Sequence, residues 1–521
     1  MSLRVPKKPG RPKGPPRLTA TMFYKYLRCP HWVYWDIYGD QSEKAEANAF
    51  AEKIWEHGII HEKEVVAHYG DYDEVPEEAP EEDRLRRTAE LMRKGSRIIY
   101  HGLLMDGNWV GVPDLLLRAS LPLGRRSVFG DYAYEPYDIK SAHIERPEDS
   151  RDEYKFQLAF YALILEKLQG VRPEYGHLID AERRVIDIRI NDVLDEFHLT
   201  LREIEKIMGG DKPAPFLASA CKESPWFSKC KADAEACDDI CLIYKIRRSD
   251  HAKLYEAGVK TVTELATADL DDLEQAVEGM SRRKLEALQR QALSLHEKKL
   301  IVIQKNPLPT AATEIYFDIE GDPLRGVEYL FGLLIASAKG GSRPKADQPR
   351  ADASGGKGRR SKGKYEYFLA QESEDEKKAW HEFLSFVKNL PDDAPIFHYG
   401  TYERAVVTRL TSRYGGDQLA IDKLERQMFN LLTSVCESVA LPVYFYSLKD
   451  IAKELGFRWR HKAAGGANSI TWYEQYLNLK DSKKTSARAK KILQDIIDYN
   501  EDDVRATLFL KRWLDDLPEP I

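Results

Sequence analysis

Two carboxylates and a lysine are the residues of this chain best suited to chemistry on a phosphodiester. They lie in the segments Gly111-Val112-Pro113-Asp114 and Asp138-Ile139-Lys140, which follow Gly58-Ile59-Ile60-His61-Glu62 and precede Gln157 and Tyr161. Asp114 and Asp138 can hold a hard divalent cation through oxygen ligands. Side chains on a strand alternate with period two, so Lys140 shares a face with Asp138 and can reach an attacking water or a phosphate. Gln157 and Tyr161 are four apart on an expected helix and share one face of it. The chemistry this set allows is metal-assisted hydrolysis, in which a cation polarises the phosphoryl oxygen and lowers the pKa of its water.

The C-terminal half carries a second set. The segment Glu314-Ile-Tyr-Phe-Asp318-Ile319-Glu320 reads as a strand, and its carboxylates at 318 and 320 point to one face, where they can share a metal. A strand over 329–338 follows, then Ile396-Phe-His-Tyr-Gly-Thr-Tyr-Glu403, a strand turning into a helix. The chain ends on a helix with Tyr499-Asn-Glu-Asp-Asp503, a spacing that puts Tyr499 and Asp503 on one face.

The elements between these sets change character. From residue 249 to about 300 short helical patterns alternate with turns at Ala257-Gly258-Val259 and Glu278-Gly279-Met280. This stretch resembles tandem helix-hairpin-helix modules, which grip a DNA backbone without reading its sequence. A helical linker is the other reading.

Taken in order, the first set resembles the RecB-type nucleases of the PD-(D/E)xK superfamily, over residues 19–242. The resemblance implies His61, Asp114 and Asp138 as metal ligands, Lys140 as the catalytic lysine, and Gln157 and Tyr161 as a DNA-orienting helix pair. The second set resembles the RNase H-like 3′→5′ exonucleases of the DEDDy type. There it implies Asp318, Glu320 and Asp503 as ligands, with Tyr499 orienting the water. The second motif of that family usually has Asp, and the best match here is Glu403, one methylene longer, so metal spacing could change. The whole order is similar to bacterial RecB-like nucleases with a C-terminal RNase H-like domain. It implies an α/β chain with a restriction-endonuclease-like core, a helical hairpin linker and an RNase H-like α/β domain. The expected boundaries are a basic tail at 1–18, the nuclease core at 19–245, the hairpin region at 246–305 and the RNase H-like domain at 306–521.

Six cysteines argue against a disulfide framework. Cys29 stands alone near the start, Cys221, Cys230, Cys237 and Cys241 crowd together past the first set, and Cys436 is isolated. In the cluster-bearing branch of the RecB-type family, one N-terminal and three C-terminal cysteines bind a [4Fe–4S] cluster through thiolates. Here the pattern departs at Ser224, where that family has a cysteine. The expected ligands are Cys29, Cys221, Cys230 and Cys237, with Cys241 as the rival. Four-thiolate zinc is the alternative metal.

Length and composition set the frame. A chain of 521 residues is long enough for two to four domains, and 43% hydrophobic with 10% aromatic residues describes a globular protein. The most apolar stretches, 156–165 and 329–338, are too short to span a bilayer, so no membrane is expected. The basic N-terminus lacks the apolar core of a signal peptide, so a cytoplasmic location is expected. The net charge of -6 hides local basic tracts. One surrounds Gly10-Arg11-Pro12-Lys13, the core of an AT-hook, which lays arginine into a narrow minor groove; a plain basic tail is the other reading. Another lies in the loop at 339–364. Both would add salt-sensitive affinity for a polyanion.

Together these features predict a Mg²⁺- or Mn²⁺-dependent nuclease, expected to be a DNA exonuclease acting on single-stranded ends in repair, recombination or defence. RNA cleavage by the C-terminal half and a non-catalytic nucleic-acid scaffold remain the alternatives. Protein partners are not readable from the sequence.

Overall fold

The computed structural model describes residues 16–46, 49–142, 144, 146–323, 325–337, 363–461, 466–482 and 484–519, with backbone alone at 49–55 and 466–468. Arg11, Lys13 and nearly all of the basic loop at 339–364 lie outside the described residues. The chain divides into two compact units, Met1–Cys237 and Asp238–Ile521. The helical region at 246–305 therefore clusters with the C-terminal half.

The first unit is built on a six-stranded mixed sheet. Its order is Asp73–Glu74, Ile98–Tyr100, Leu115–Ser120, Tyr132–Ile139, Tyr175–Ile179 and Val185–Arg189. Strand Tyr132–Ile139 runs antiparallel to Leu115–Ser120 but parallel to Tyr175–Ile179. A parallel pair needs a crossover, and helix Asp152–Gln169 supplies it. That helix buries Phe156, Leu158, Ala159, Phe160, Tyr161, Ile164 and Leu165, because it is covered by the sheet on one side and by helix Ala20–Arg28 on the other. It stops at Gly170, whose φ of 76° suits a residue without a Cβ. A small second sheet joins Leu18–Thr19, Trp109–Gly111 and Leu104–Asp106.

The second unit opens with four helices, Arg248–Glu256, Val262–Thr267, Leu270–Ala276 and Arg282–Glu297. The turns between the outer pairs pass through Gly258 (φ 88°) and Gly279 (φ 69°), both left-handed. A five-stranded sheet follows, ordered Lys364–Leu369, Val327–Ser337, Thr313–Asp322, Ile396–His398 and Met428–Asn430. Val327–Ser337 runs antiparallel to both of its neighbours, and the last two strands join in parallel.

Alternation along Thr313–Asp322 sorts its side chains between two cores. Ile315, Phe317 and Ile319 pack with Trp380, Phe383 and Val406. Tyr316 packs on the opposite face with Val504, Leu508 and Leu510 of the long terminal helix Ser486–Asp515. Asp318 and Glu320 have the parity of Tyr316 and so face that helix. A buried ion pair fixes the helix to the strand: Lys511 Nζ lies 2.7 Å from Glu314 Oε1, with side chains 3% and 6% exposed. Tyr316 also donates its hydroxyl to Glu314 at 2.7 Å.

Removing one partner of a buried pair leaves the other charge uncompensated, which costs about 3–5 kcal/mol. Lys511→Met should therefore lower the urea midpoint of the second unit sharply. The double variant Glu314→Leu/Lys511→Met should regain most of that loss, since both charges are then gone. Equilibrium unfolding followed by tryptophan fluorescence checks both.

Candidate active sites

The register of the first sheet brings the motif residues together. Leu115 pairs with Tyr137, so Asp114 and Asp138 end up at the same edge, one just before its strand and the other near the end of its own. Asp114 Oδ2 accepts the Ile139 backbone N–H at 2.5 Å. Asp138, buried, forms an ion pair with Lys140. A hydrogen-bonded chain then runs back to the first motif. Lys140 Nζ donates to Gln157 Oε1 at 3.1 Å, Gln157 Nε2 donates to Tyr161 at 3.5 Å, and Tyr161 donates to the Val112 carbonyl at 3.2 Å. The glycine of the first motif has a steric reason. A Cβ on Gly111 would come within 2.8 Å of the Tyr161 ring, so only glycine lets that ring lie against the strand.

The charges of this site constrain one another. Burial first, and then the Asp138 carboxylate, push the Asp114 carboxyl well above its usual range. Burial favours loss of the Lys140 proton, but Asp138 and Asp114 outweigh it and hold the ammonium charged above the ordinary lysine value. The Tyr161 hydroxyl is pushed well up by burial and by the same two carboxylates.

The structure brings Glu62, not His61, to Asp114. Glu62, His101 and Asp114 place one ligand atom each within 4.8 Å of one another. Glu62 and His61 are adjacent on helix Ala49–His68, and it is Glu62 that groups with His101 and Asp114. The buried His61 Nε2 makes no hydrogen bond among the described residues. Glu62 was overlooked because it sits beside a residue of more obvious ligand type. His101 carried no motif signal at all.

In the second unit Asp318, Glu320 and Asp503 place their carboxylate oxygens within 4.8 Å of one another. Each is held by a neutral donor. Asn500 Nδ2 donates to Asp318 Oδ2 at 2.8 Å, Ser469 to Glu320 Oε2 at 2.7 Å, and Trp459 Nε1 to Asp503 Oδ1 at 2.5 Å. Asn500 is oriented in turn by the Tyr365 hydroxyl at 2.8 Å. A Cβ on Gly332, which pairs with Asp318 across the sheet, would collide with the Asn500 side chain.

Burial raises all three acids, and repulsion within the group adds to it at Asp318 and Glu320. Asp318 is pushed well up by burial and then by Asp503, Glu320 and Glu403, and Glu320 is pushed up to about 8 by burial and then by Asp503. Asp503 is raised by burial against the pull of Lys449. Lys449 Nζ lies 3.8 Å from Asp503 Oδ2 and bonds the Tyr499 hydroxyl. Lys449, Asn500, Trp459 and Ser469 were not read from the sequence as site residues. Asn500 lies inside the Tyr499–Asp503 stretch, but the others are separated from every motif by loops of no fixed spacing.

Glu403 stands outside the three-carboxylate group. It is buried and its Oε2 lies 3.3 Å from Nδ1 of the buried His398. Its charge still reaches Asp318.

The cysteines gather only in part. The Cys29 thiol is pushed far up by a hydrogen bond with the Cys221 thiol, then by burial and by Cys230. Burial pushes Cys230 up to about 11, with Cys221 contributing. Cys237 is exposed, and its Sγ turns to the carbonyls of Asp233 and Ala234 at 3.1 and 3.6 Å. Cys241 is buried in the second unit beside Asp239. Among the described residues no close set of metal-ligating atoms includes a cysteine. Cys29, Cys221 and Cys230 are thus neighbours within the first unit.

Two carboxylates on a central strand of the mixed five-stranded sheet and one from the C-terminal helix form an acidic group that could hold a metal ion. Residues 315–515 match the RNase_H_2 family model, of the RNase_H superfamily, so the C-terminal part of the chain is RNase H-like. The match does not extend to the first unit. No curated protein matches the chain. No helix of the described residues is long and apolar enough to cross a membrane.

A carboxyl whose folded pKa is raised binds protons more tightly when folded. For Glu320 the stabilisation by its proton is complete below about pH 4.5 and is lost as pH rises through about 8. Metal-free protein should therefore lose thermal stability over that window. Mn²⁺ or Mg²⁺ should raise the melting temperature more at pH 8 than at pH 5, and Glu320→Gln should flatten both trends. Differential scanning fluorimetry across pH, with and without the cation, measures this.

Proposed function

We propose that the chain is a divalent-metal-dependent nuclease that hydrolyses DNA as an exonuclease at single-stranded ends, in repair, recombination or defence. The observation that carries this reading is the group of three buried carboxylates, Asp318, Glu320 and Asp503, in an RNase H-like domain. Three like charges this close need a cation, and oxygen ligands suit Mg²⁺ or Mn²⁺. The RecB-type reading of the first unit adds a second hydrolytic site at Asp114, Asp138 and Lys140.

Cations held there would polarise the phosphoryl oxygen and lower the pKa of the attacking water. The protein's own groups supply position and charge. Asn500, Ser469 and Trp459 each hold one carboxylate oxygen and so aim its partner oxygen inward. Lys449 fixes the Tyr499 hydroxyl beside Asp503, where it can orient a water for in-line attack. The exposed part of Lys449 can also offset negative charge that develops on the phosphoryl group. In the first unit Lys140 serves that purpose, held in place by Asp138 and Gln157.

Digestion of one single-stranded DNA, labelled at either end, tests the proposal. Cleavage should require Mg²⁺ or Mn²⁺, and Asp503→Asn should abolish the activity of the C-terminal site. Lys140→Ala should remove whatever activity survives Asp503→Asn. Lys449→Met should lower kcat by about 100-fold with little change in KM, because its contribution grows as charge develops. Metal-loaded protein that cuts neither this DNA nor an RNA of the same sequence would sink the proposal, and RNA cleavage alone would reassign the substrate.

A further inference from the structure

The helix and strand ends around Asp114 assemble more than the expected ligands. Strand Ile98–Tyr100 stops one residue before His101, which adopts a left-handed backbone conformation with φ 54°. This conformation is uncommon for a residue with a side chain. The His101 N–H donates to the Asp114 carbonyl at 3.1 Å, which ties this turn to the carboxylate's own backbone. The imidazole is thereby delivered to the site edge, where Nε2 lies 2.6 Å from Glu62 Oε1.

The surroundings of these residues match what a metal centre needs outside its ligands. A histidine that binds a metal through one ring nitrogen offers the other to a carboxylate or carbonyl. The Nδ1 of His101 lies 3.5 Å from Glu77 Oε1, while Nε2 faces Glu62. Glu62 is held by the Tyr100 hydroxyl at 2.8 Å, and Asp114 Oδ2 by the Ile139 N–H at 2.5 Å, which leaves Asp114 Oδ1 for a cation. The Tyr100 ring stacks on His101 at 3.8 Å and restricts its rotation. Asp138, by contrast, is neutralised by Lys140.

We infer that His101 is a metal ligand, completing with Glu62 and Asp114 a mixed nitrogen–oxygen centre that selects Mn²⁺ over Mg²⁺. A cation held there would draw on His101 Nε2, Glu62 and Asp114, whose ligand atoms already lie within 4.8 Å of one another. Imidazole favours transition metals, whereas Mg²⁺ keeps to oxygen ligands and to water. The Asp138–Lys140 pair is then left to face the phosphate. This inference rests on the nuclease reading of the first unit for its purpose, but not for its binding chemistry.

The test uses the full chain with Asp318→Asn and Asp503→Asn, so that the C-terminal carboxylates no longer compete. Mn²⁺ is titrated and followed by electron paramagnetic resonance, with Mg²⁺ as competitor and pulsed detection of nitrogen coupling. One bound Mn²⁺ with an imidazole nitrogen signal is expected. His101→Asn retains a residue that tolerates the left-handed backbone. It should lose the nitrogen coupling, weaken Mn²⁺ by more than about 10-fold and narrow the Mn²⁺/Mg²⁺ ratio, with thermal melting as the folding control. Glu77→Gln should weaken Mn²⁺ but keep the coupling. Coupling that survives His101→Asn but vanishes in His61→Gln would overturn the inference, as would the absence of any nitrogen-coupled Mn²⁺. If the nitrogen-coupled Mn²⁺ is found but the chain cuts no DNA or RNA, the metal centre stands and the nuclease reading fails.

Discussion

Repulsion among buried carboxylates is the constraint around which the second unit is organised. At a separation of about 4 Å, two like charges repel by about 4 kcal/mol even at an effective dielectric of about 20. Asp318, Glu320 and Asp503 make three such pairs within 4.8 Å. Neutral donors cannot offset that, although Asn500, Ser469 and Trp459 orient the oxygens. Lys449 is a cation at 3.8 Å, close enough to temper Asp503 but a single charge against three. Burial and repulsion favour the protonated acids, and a bound cation would favour their release of protons.

The fold holds this unfavourable group together by fixing its two carriers elsewhere. Asp318 and Glu320 come from a central strand with neighbours on both sides, and Asp503 comes from a helix that packs along it through Tyr316, Val504 and Leu508. The Lys511–Glu314 pair fastens the same strand and helix several residues away from the acids. Gly332 lets Asn500 approach the strand face. The first unit solves a milder version of the problem. Asp114 and Asp138 are also close, but Lys140 supplies a built-in cation, so the buried Asp138 is already paired.

What could be read from the sequence follows from locality. Asp318 and Glu320 share a face by strand parity, and Tyr499 and Asp503 by helical spacing, so both pairs were legible before any fold was known. Asp138 and Lys140 share a face for the same reason, whereas Asp114 precedes a different strand and was joined to them only by the resemblance. The groups that complete each site come from separate elements. Lys449 and Trp459 reach Asp503 and Tyr499 from a segment about 40 to 50 residues earlier, in keeping with the sequence separations of 50 and 44 for their bonds. Glu62 and His101 are 39 apart and meet only because a strand end turns left-handed at His101. Spacing rules do not reach such pairs. The cysteines join distant parts of the chain in the same way: Cys29 meets Cys221 and Cys230 although about 190 to 200 residues separate them.

The central claim is that the carboxylate group trades protons for metal. Isothermal titration of Mn²⁺ into the full chain at pH 7, in buffers of different ionisation enthalpy, counts the protons released. The account predicts proton release at the C-terminal site, because Glu320 is pushed up to about 8, and a smaller release from Glu320→Gln. Binding that releases no protons, or the same number from Glu320→Gln as from the unaltered chain, would contradict it.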